Sequence, residues 1–281
     1  MTEAHITPAD TAAFAGSLRA EERSTGTIEN YLRAVRAFSG WLGDRPVEQG
    51  SAAAWKAALL AKGYAPGTVN AMLTAVNRLL RFLGLGEWAG RTLRLQRRLF
   101  RAADRELDRE EYGRLLEAAR LLGRERLALL METICATGIR VSEVRYITVE
   151  ALRRGRAEVA LKGKIRTILI PGKLCRKLLK YAKRQNTASG ELFLTRGGKS
   201  LSRKQIWAEM KAVCRAAGVA ESKVFPHNLR HLFARTFYRA SRDVAKLADV
   251  LGHSSIETTR IYLVSTGAEH ARQLEGLGLI C

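Results

Sequence analysis

Apolar residues recur at helical spacing along most of this 281-residue chain, and that period limits it to a mainly α-helical fold. Two segments, 24–42 and 66–83, each carry one continuous apolar stripe. A third helix is predicted at 51–60, and another follows Thr7-Pro8, where Thr7 is the expected N-cap and Pro8 the first helical residue. The first ninety residues therefore predict a small four-helix unit.

One stretch, Gly155 to Pro171, departs from the helical period. Residues 157–161 and 165–170 are short β-type runs, and Lys162-Gly163-Lys164 is expected to join them as a hairpin turn. A third strand is predicted at 191–194, and the rest of this half is predicted to be helical. The second half of the chain is therefore expected to be α+β, with a small sheet among helices.

Residues 91–106 differ from both halves, because they are basic and have no clean helical period. We interpret them as an interdomain linker that could lie against DNA phosphates, the alternative being an ordinary exposed linker. The expected domains are thus residues 1–90, a helical DNA-binding unit, and residues 107–281, a second domain that includes the C-terminal tail.

The formal net charge of +21, from 48 Lys and Arg against 27 Asp and Glu, favours a polyanionic partner. Nucleic acid is the first candidate and an anionic membrane surface the second, while a solvated basic surface is the alternative to both. No run of about 18 uncharged apolar residues is present, so no membrane span is predicted. The N-terminal residues lack the pattern of a signal peptide, which predicts a cytoplasmic protein.

The four cysteines are scattered along the chain, with no Cys-x-x-Cys spacing and no nearby histidine to complete a zinc site. We therefore expect reduced thiols and no structural metal. His227 and His231 are four residues apart and could in isolation be metal ligands, but no third ligand is obvious. The sequence thus predicts neither a metal ion nor a cofactor.

Two short segments carry arginines suited to a phosphate group, since a guanidinium donates two parallel hydrogen bonds. In residues 136–143, Gly138 can end a helix and leave Arg140 at a break that faces a cleft. In residues 226–231, His227 and Arg230 are three apart and share a helix face. Taken singly, either arginine could be one surface residue among many.

A third segment, residues 251–262, contains His253 and Tyr262. Ser254 and Glu257 have capping-box spacing, which predicts that His253 lies just before a helix and Tyr262 about two turns into it. A lone tyrosine on an amphipathic helix is usually a packing residue. The neighbouring motifs, with the lysines of the predicted hairpin, favour a chemical role instead.

Together, these segments resemble the tyrosine recombinase (phage integrase) family. The chain has Thr-Gly-Ile-Arg140-Val-Ser-Glu143, then a lysine-bearing hairpin, then His227-x-x-Arg230-His231, and finally Leu-Gly-His253 with Tyr262 nine residues on, in the order of the family. The resemblance covers nearly the whole chain. It implies a SAM-like core-binding domain, a catalytic domain of the DNA breaking-rejoining fold, and site-specific recombination through a 3′-phosphotyrosyl intermediate.

The resemblance also implies catalytic roles. Tyr262 would be the nucleophile that attacks the scissile phosphate. Arg140 and Arg230 would hold the two non-bridging oxygens and stabilise the pentacoordinate transition state. His227 would assist proton transfer from the tyrosine, and His253 would donate a hydrogen bond to the phosphate.

Lys162 is the expected general acid for the 5′-oxygen. The hairpin turn is about one residue shorter than the common family form, Gly-Lys-Gly-x-Lys-x-Arg, and Lys164 is therefore the alternative. Glu143 and His231 are expected to support the catalytic residues without contacting the reacting atoms.

The partners implied are double-stranded recombination sites and three further copies of the chain, because the family works as a tetramer on two DNA sites. An accessory DNA-bending protein is a further candidate partner. The apolar tail, with Leu274, Leu277, Leu279 and Ile280, could dock on a neighbouring protomer or pack on its own domain.

Three alternatives stay open from the sequence. The enzyme could serve a mobile element, which we favour, or resolve chromosome dimers as Xer-type recombinases do. A type IB topoisomerase shares the tyrosine chemistry but does not exchange partners, and the compact length and helical N-terminal unit argue against it. A DNA-binding regulator without catalysis is the alternative from another functional class, and the complete residue set argues against that.

Overall fold

A computed structural model of the chain describes residues 4–95, 105–161, 164–253, 255–260, 262 and 275–276. The chain divides into two compact units, Met1–Arg97 and Arg98–Cys281, which are described separately. No helix among the described residues is long and apolar enough to cross a membrane.

The first unit contains the four predicted helices. They are α1 (Pro8–Ala20), α2 (Thr25–Leu42), α3 (Ser51–Ala61) and α4 (Pro66–Phe82), followed by a 3-10 turn at Gly86–Trp88. The expected N-cap of α1 is confirmed, since Thr7 Oγ1 accepts from Asp10 N at 3.1 Å and the Asp10 carboxylate accepts from Thr7 N at 2.9 Å. Buried apolar side chains of α2, α3 and α4, among them Phe38, Trp55 and Leu73, form the core.

Two asparagines of α4 hold the chain that follows the 3-10 turn. Asn77 donates to Gly90 O at 2.7 Å and accepts from Gly90 N at 2.9 Å. Asn70 makes the same pair of bonds with Leu93, at 2.9 and 2.8 Å. The first part of the predicted linker, residues 91–95, therefore lies along α4, and residues 96–104 lie outside the described residues.

The second unit is also mainly helical. Its helices are α5 (Arg109–Leu121), α6 (Glu125–Thr137), α7 (Val149–Arg154), α8 (Gly172–Arg184), α9 (Arg203–Lys211), α10 (Cys214–Ala217), α11 (Pro226–Ser241), α12 (Val244–Leu251) and α13 (Ile256–Arg260). Asp108 caps α5 through a capping box with Glu111. Buried residues of α6, from Leu127 to Ile134, lie in the main core cluster.

The predicted hairpin is present as two antiparallel strands, β1 (Arg156–Leu161) and β2 (Lys164–Leu169). Their register runs from the pair Arg156–Leu169 to the pair Leu161–Lys164, so Lys164 belongs to β2 and not to the turn. Residues 162 and 163, and with them the predicted general acid Lys162, lie outside the described residues.

The third strand predicted at 191–194 is wrong for the described part of the chain. Only isolated bridges form there, Thr148 with Glu191 and Leu194 with Ser200. Leu192 and Phe193 are adjacent and both buried, so the side chains do not alternate between two faces as they do along a strand. The backbone is instead held by loops, as in the bond from Leu192 N to Ile147 O.

Candidate active site

Arg230, on α11, is the centre of a cluster of polar groups in the second unit. Its residue surface is 1% exposed. Its guanidinium donates to the carbonyl oxygens of Gly138 and Leu251 and lies 3.4 Å from the hydroxyl of Tyr262. Its Nη2 is 2.8 Å from His253 Nε2. Because a guanidinium has only donors, its four partners all act as acceptors. These four groups therefore converge on the side chain of Arg230.

The bonds of His253 define its protonation state. Since Arg230 can only donate, His253 Nε2 must accept, and the proton lies on Nδ1, which is 2.8 Å from Thr259 Oγ1. Burial lowers the pKa of His253 to about 4, and the positive charges of Arg230 and Arg140 add to that effect. His253 is therefore a neutral imidazole near neutral pH.

Tyr262 is buried, and its ring lies among three imidazoles. The ring centroids of His231, His253 and His227 lie 4.5, 5.5 and 5.9 Å from that of the tyrosine. The prediction that Tyr262 lies two turns into a helix is wrong. Helix α13 begins at Ile256, where Ser255 Oγ accepts from the amide of Glu257, and Tyr262 lies two residues beyond its last residue, Arg260.

Arg140 follows α6 at a break in the helical chain. Gly138 ends α6 in the left-handed conformation, φ 65°, and Arg140 precedes a 3-10 helix, Val141–Tyr146. The side chain of Arg140 is 42% exposed, in contrast to the buried Arg230. Its Nη1 lies 3.1 Å from Glu143, so one end of the guanidinium is held while the side chain still reaches solvent.

Glu143 is 2% exposed and is held from two sides. Its carboxylate accepts from Arg140 N at 2.7 Å and from Arg140 Nη1. Both of its oxygens also lie 3.2 Å from Nη1 of Arg166, on β2. A buried carboxylate thus joins the arginine at the helix break to the hairpin strand.

Two glycines allow the close packing around these groups. A Cβ at Gly138 would overlap the ring of Phe233, and one at Gly252 would overlap the side chain of Arg166. Both have positive φ, 65° and 64°. The end of α6 can approach α11 at Gly138, and the end of α12 can approach β2 at Gly252, only because no side chain intervenes.

The structure brings seven of the eight residues predicted from the sequence into this one cluster or into contact with it: Arg140, Glu143, His227, Arg230, His231, His253 and Tyr262. Lys162 is the eighth, and the side chain of its alternative, Lys164, is likewise outside what the structure describes. The apolar tail residues Leu274, Leu277, Leu279 and Ile280 are outside it as well. Among the described residues, no three His, Cys, Asp or Glu side chains form a group that could hold a metal ion.

Sequence reasoning missed Arg166 and Thr259. In the family hairpin pattern, Gly-Lys-Gly-x-Lys-x-Arg, the final arginine follows the second lysine by two residues. Arg166 follows Lys164 at the same spacing, so the pattern could have identified it. Thr259 is fully buried and three residues before Tyr262, and only its bond to His253 distinguishes it from an ordinary helix threonine.

The cluster combines a tyrosine hydroxyl, one buried and one exposed guanidinium, and several imidazoles. Guanidinium groups bind and stabilise the negative oxygens of a phosphate, and a hydroxyl beside them is placed to attack it. The arrangement is therefore suited to phosphoryl transfer onto a tyrosine.

Comparison with known proteins agrees with this chemistry. Residues 105–269 match the model of the phage integrase family, and residues 4–85 match its N-terminal SAM-like domain. Tyrosine recombinase XerA of Pyrococcus furiosus is 32% identical over 268 residues, which cover 92% of this chain and 90% of that protein.

Two solved structures share the fold. The XerH site-specific recombinase, bound to its difH substrate before cleavage, aligns with a TM-score of 0.69 at 19% identity, over 93% of this chain and 83% of that one. A lambda integrase tetramer bound to a Holliday junction aligns with a TM-score of 0.71 at 19% identity, over 90% and 76%.

Proposed function

This chain belongs to the phage integrase family of tyrosine recombinases, and we propose that Tyr262 is the nucleophile with which it cuts and rejoins DNA at specific sites. One observation carries the proposal. The hydroxyl of Tyr262 lies 3.4 Å from Nε of the buried Arg230, in a cluster that also holds the exposed Arg140. The proposed nucleophile, Tyr262, therefore lies next to Arg230, a group suited to binding a phosphate.

In the proposed step, the Tyr262 oxygen forms a bond to the scissile phosphorus as the bond from phosphorus to the 5′-oxygen breaks. The tyrosine proton passes to the surrounding imidazoles, with His227 as the proposed acceptor. The product is a 3′-phosphotyrosyl ester and a free 5′-hydroxyl. Because a phosphoester replaces a phosphoester, the reverse attack by a 5′-hydroxyl can rejoin the strand without another energy source.

Arg230 and Arg140 are proposed to bind the non-bridging oxygens during this step. Arg230 is held in place by the carbonyl oxygens of Gly138 and Leu251. Little reorganisation of the protein is therefore needed when negative charge develops on the phosphate. Arg140 can turn toward a bound phosphate because its side chain is half-exposed and held at one end by Glu143. Lys162 is proposed to protonate the 5′-oxygen.

We further propose duplex DNA and other copies of this chain as partners. The net charge of +21 favours DNA, and the lambda integrase structure is a tetramer on a Holliday junction. The SAM-like unit would be a core-binding domain joined to the catalytic domain by residues 91–106. An accessory DNA-bending protein and a cytoplasmic location belong to the same proposal, as does service to a mobile element, with the Xer-type resolution of chromosome dimers as its alternative.

The test captures the covalent intermediate on DNA and lets the protein select its own recognition sequence. Duplexes with a randomised central segment and one nick are incubated with the full chain. Cleavage close to the nick releases a short fragment and traps the protein on the DNA. Complexes recovered under denaturing conditions are sequenced. We expect a recurrent sequence from the wild type, in the presence of EDTA as well as in its absence.

Tyr262→Phe is the matched control, since it removes one oxygen and leaves the ring. We expect it to bind the selected duplex with nearly wild-type affinity and to give no covalent complex. A wild-type protein that binds DNA but forms no adduct would support the regulator instead. Relaxation of supercoiled plasmids that lack the selected sequence would support a topoisomerase.

A further inference from the structure

Arg166 is a buried cation that the proposed reaction does not use. It lies on β2, and its side chain is 11% exposed. Its Nε is buried and has no hydrogen-bond partner among the described residues. Burial lowers the pKa of its guanidinium to about 10, so it stays charged at neutral pH. A buried charge is expensive, and its position therefore needs a reason beyond packing.

The bonds of Arg166 reach two separate parts of the candidate site. Nη1 contacts both carboxylate oxygens of Glu143 at 3.2 Å, and Glu143 in turn holds the backbone and guanidinium of Arg140. Nη2 donates to Val250 O at 2.9 Å, near the end of α12 and three residues before His253. One guanidinium thus joins the chain segment of Arg140 to the segment of His253.

Gly252 shows that the backbone is shaped around this side chain. It ends α12 with a φ of 64°, and a Cβ there would overlap Arg166 Cδ and lie 2.7 Å from Arg166 Nε. Gly218, which also ends a helix with a positive φ of 59°, has no atom within 4 Å of that position. Glycine is therefore needed at position 252 for two reasons, the left-handed backbone conformation and the close contact with the Arg166 side chain.

We propose that Arg166 is a positioning residue that sets the distance between Arg140 and His253, through Glu143 on one side and the Val250 carbonyl on the other. Arg140 is proposed to bind the phosphate, and His253 holds Arg230, the second proposed phosphate-binding arginine. An error of about 1 Å in the placement of such groups can cost 100-fold in rate. The expected effect of Arg166 on cleavage rests on the proposed function, whereas its expected effect on the pKa of His253 can be measured without DNA.

The first experiment therefore uses the protein alone. The imidazoles of the five histidines are labelled with carbon-13 and titrated by NMR, and the signal of His253 is assigned by its loss in His253→Gln. The charges that face His253 are Arg230, Arg140, Arg166 and His227, all of which disfavour its protonation. Arg166→Gln removes one cation and should shift the pKa of His253 upward, whereas Arg166→Lys should leave it near the wild-type value. An unmoved pKa in Arg166→Gln overturns the proposed proximity.

The second experiment measures adduct formation on the nicked duplex selected with the wild type. Arg166→Gln and Arg166→Lys should both slow the adduct by about 10- to 100-fold at saturating DNA, with dissociation constants near wild type. Lysine keeps the charge but lacks the planar fork with which Arg166 reaches Glu143 through one nitrogen and Val250 through the other. Wild-type rates in Arg166→Lys would show that charge alone suffices and would refute the bridge.

A third variant displaces Arg166 without changing it. Gly252→Ala and the control Gly218→Ala carry the same backbone strain, but only the first collides with Arg166. We expect slow adduct formation in Gly252→Ala and a rate within about twofold of wild type in Gly218→Ala, with saturating DNA for both. Equal rates in the two variants contradict the inference. Failure of the wild type itself to form an adduct would instead contradict the proposed function, and the NMR result would still decide the position of Arg166.

Discussion

The two units differ in the polar groups that they bury. Among the described residues, Asn77 is the one buried polar side chain of the first unit, whereas the second unit buries Thr133, Thr137, Glu143, Asn228, Arg230 and Thr259. Asn77 forms hydrogen bonds with the backbone amide and carbonyl of Gly90, and the folding of the first unit is enough to explain its burial. Arg230 and Glu143 bury whole charges, which folding alone does not require. The comparison indicates that costly burial in the second unit serves its site.

The sharpest way to test that contrast is Arg230→Lys. Lysine keeps the charge but cannot hold the two carbonyls, His253 and a phosphate at once. We expect adduct formation on the selected duplex to fall by about 100- to 1,000-fold, the usual loss when one transition-state donor is removed. Single-turnover rates at saturating DNA measure it.

Arg235→Lys is the control on the same helix. Arg235 bonds to Glu106 and to the carbonyl of Leu107, away from Tyr262. Its replacement should lower stability and leave the adduct rate of bound protein near wild type. A comparable loss of rate in both variants would mean that any arginine of α11 matters equally, and the contrast between the units would fail.

The next largest effect is expected from Gly138→Ala. Gly138 and Gly155 both end helices in the left-handed conformation, with φ of 65° and 69°. An added methyl meets Phe233 at the first position and nothing within 4 Å at the second. Gly155→Ala should therefore lose only the backbone term, about 1–2 kcal/mol, and Gly138→Ala about 1–3 kcal/mol more through overpacking. Denaturant unfolding compares them, and equal losses would remove the steric argument.

In the first unit, Asn77→Ala tests whether its buried polar group is purely structural. The substitution leaves the amide and carbonyl of Gly90 without their partner, which should lower the free energy of unfolding by about 1–3 kcal/mol. The adduct rate of DNA-bound protein should be within about twofold of wild type. A large loss of rate with saturating DNA would show that this unit takes part in the site and would break the comparison.

The last prediction concerns pH. The pKa of His253 is about 4 in the folded protein against an ordinary value of 6.5, so the unfolded chain binds the proton more readily. The stability that this residue contributes is present above pH 6.5 and is lost as the pH falls toward 4. The unfolding free energies of wild type and His253→Gln should therefore change relative to each other across that range, with the wild type losing stability as the pH falls. A constant difference between them would contradict a neutral, buried imidazole.

The sequence anticipated the helices better than the small irregular elements. Helical periodicity and a local cap such as Thr7 act over a few residues, so they could be predicted directly from the sequence. The strand predicted at 191–194 failed because its backbone bonds go to distant loops. Ser254, the cap predicted for α13, lies outside the described residues, and Ser255 Oγ accepts from the amide of Glu257.

By itself, the sequence determined the helical character of the chain, its membership of the family and the identity of the residues proposed to act, because motif order and period are written along the chain. Tertiary structure decided which of these groups meet and in what state. The buried Arg230 joins α11 to the end of α6, and Arg166 joins β2 to the end of α12, so both bonds connect segments that lie far apart in sequence. The neutral state of His253 depends on its contact with this buried Arg230. Their hydrogen bonds and burial exist only once these elements pack, and so no local pattern could specify them.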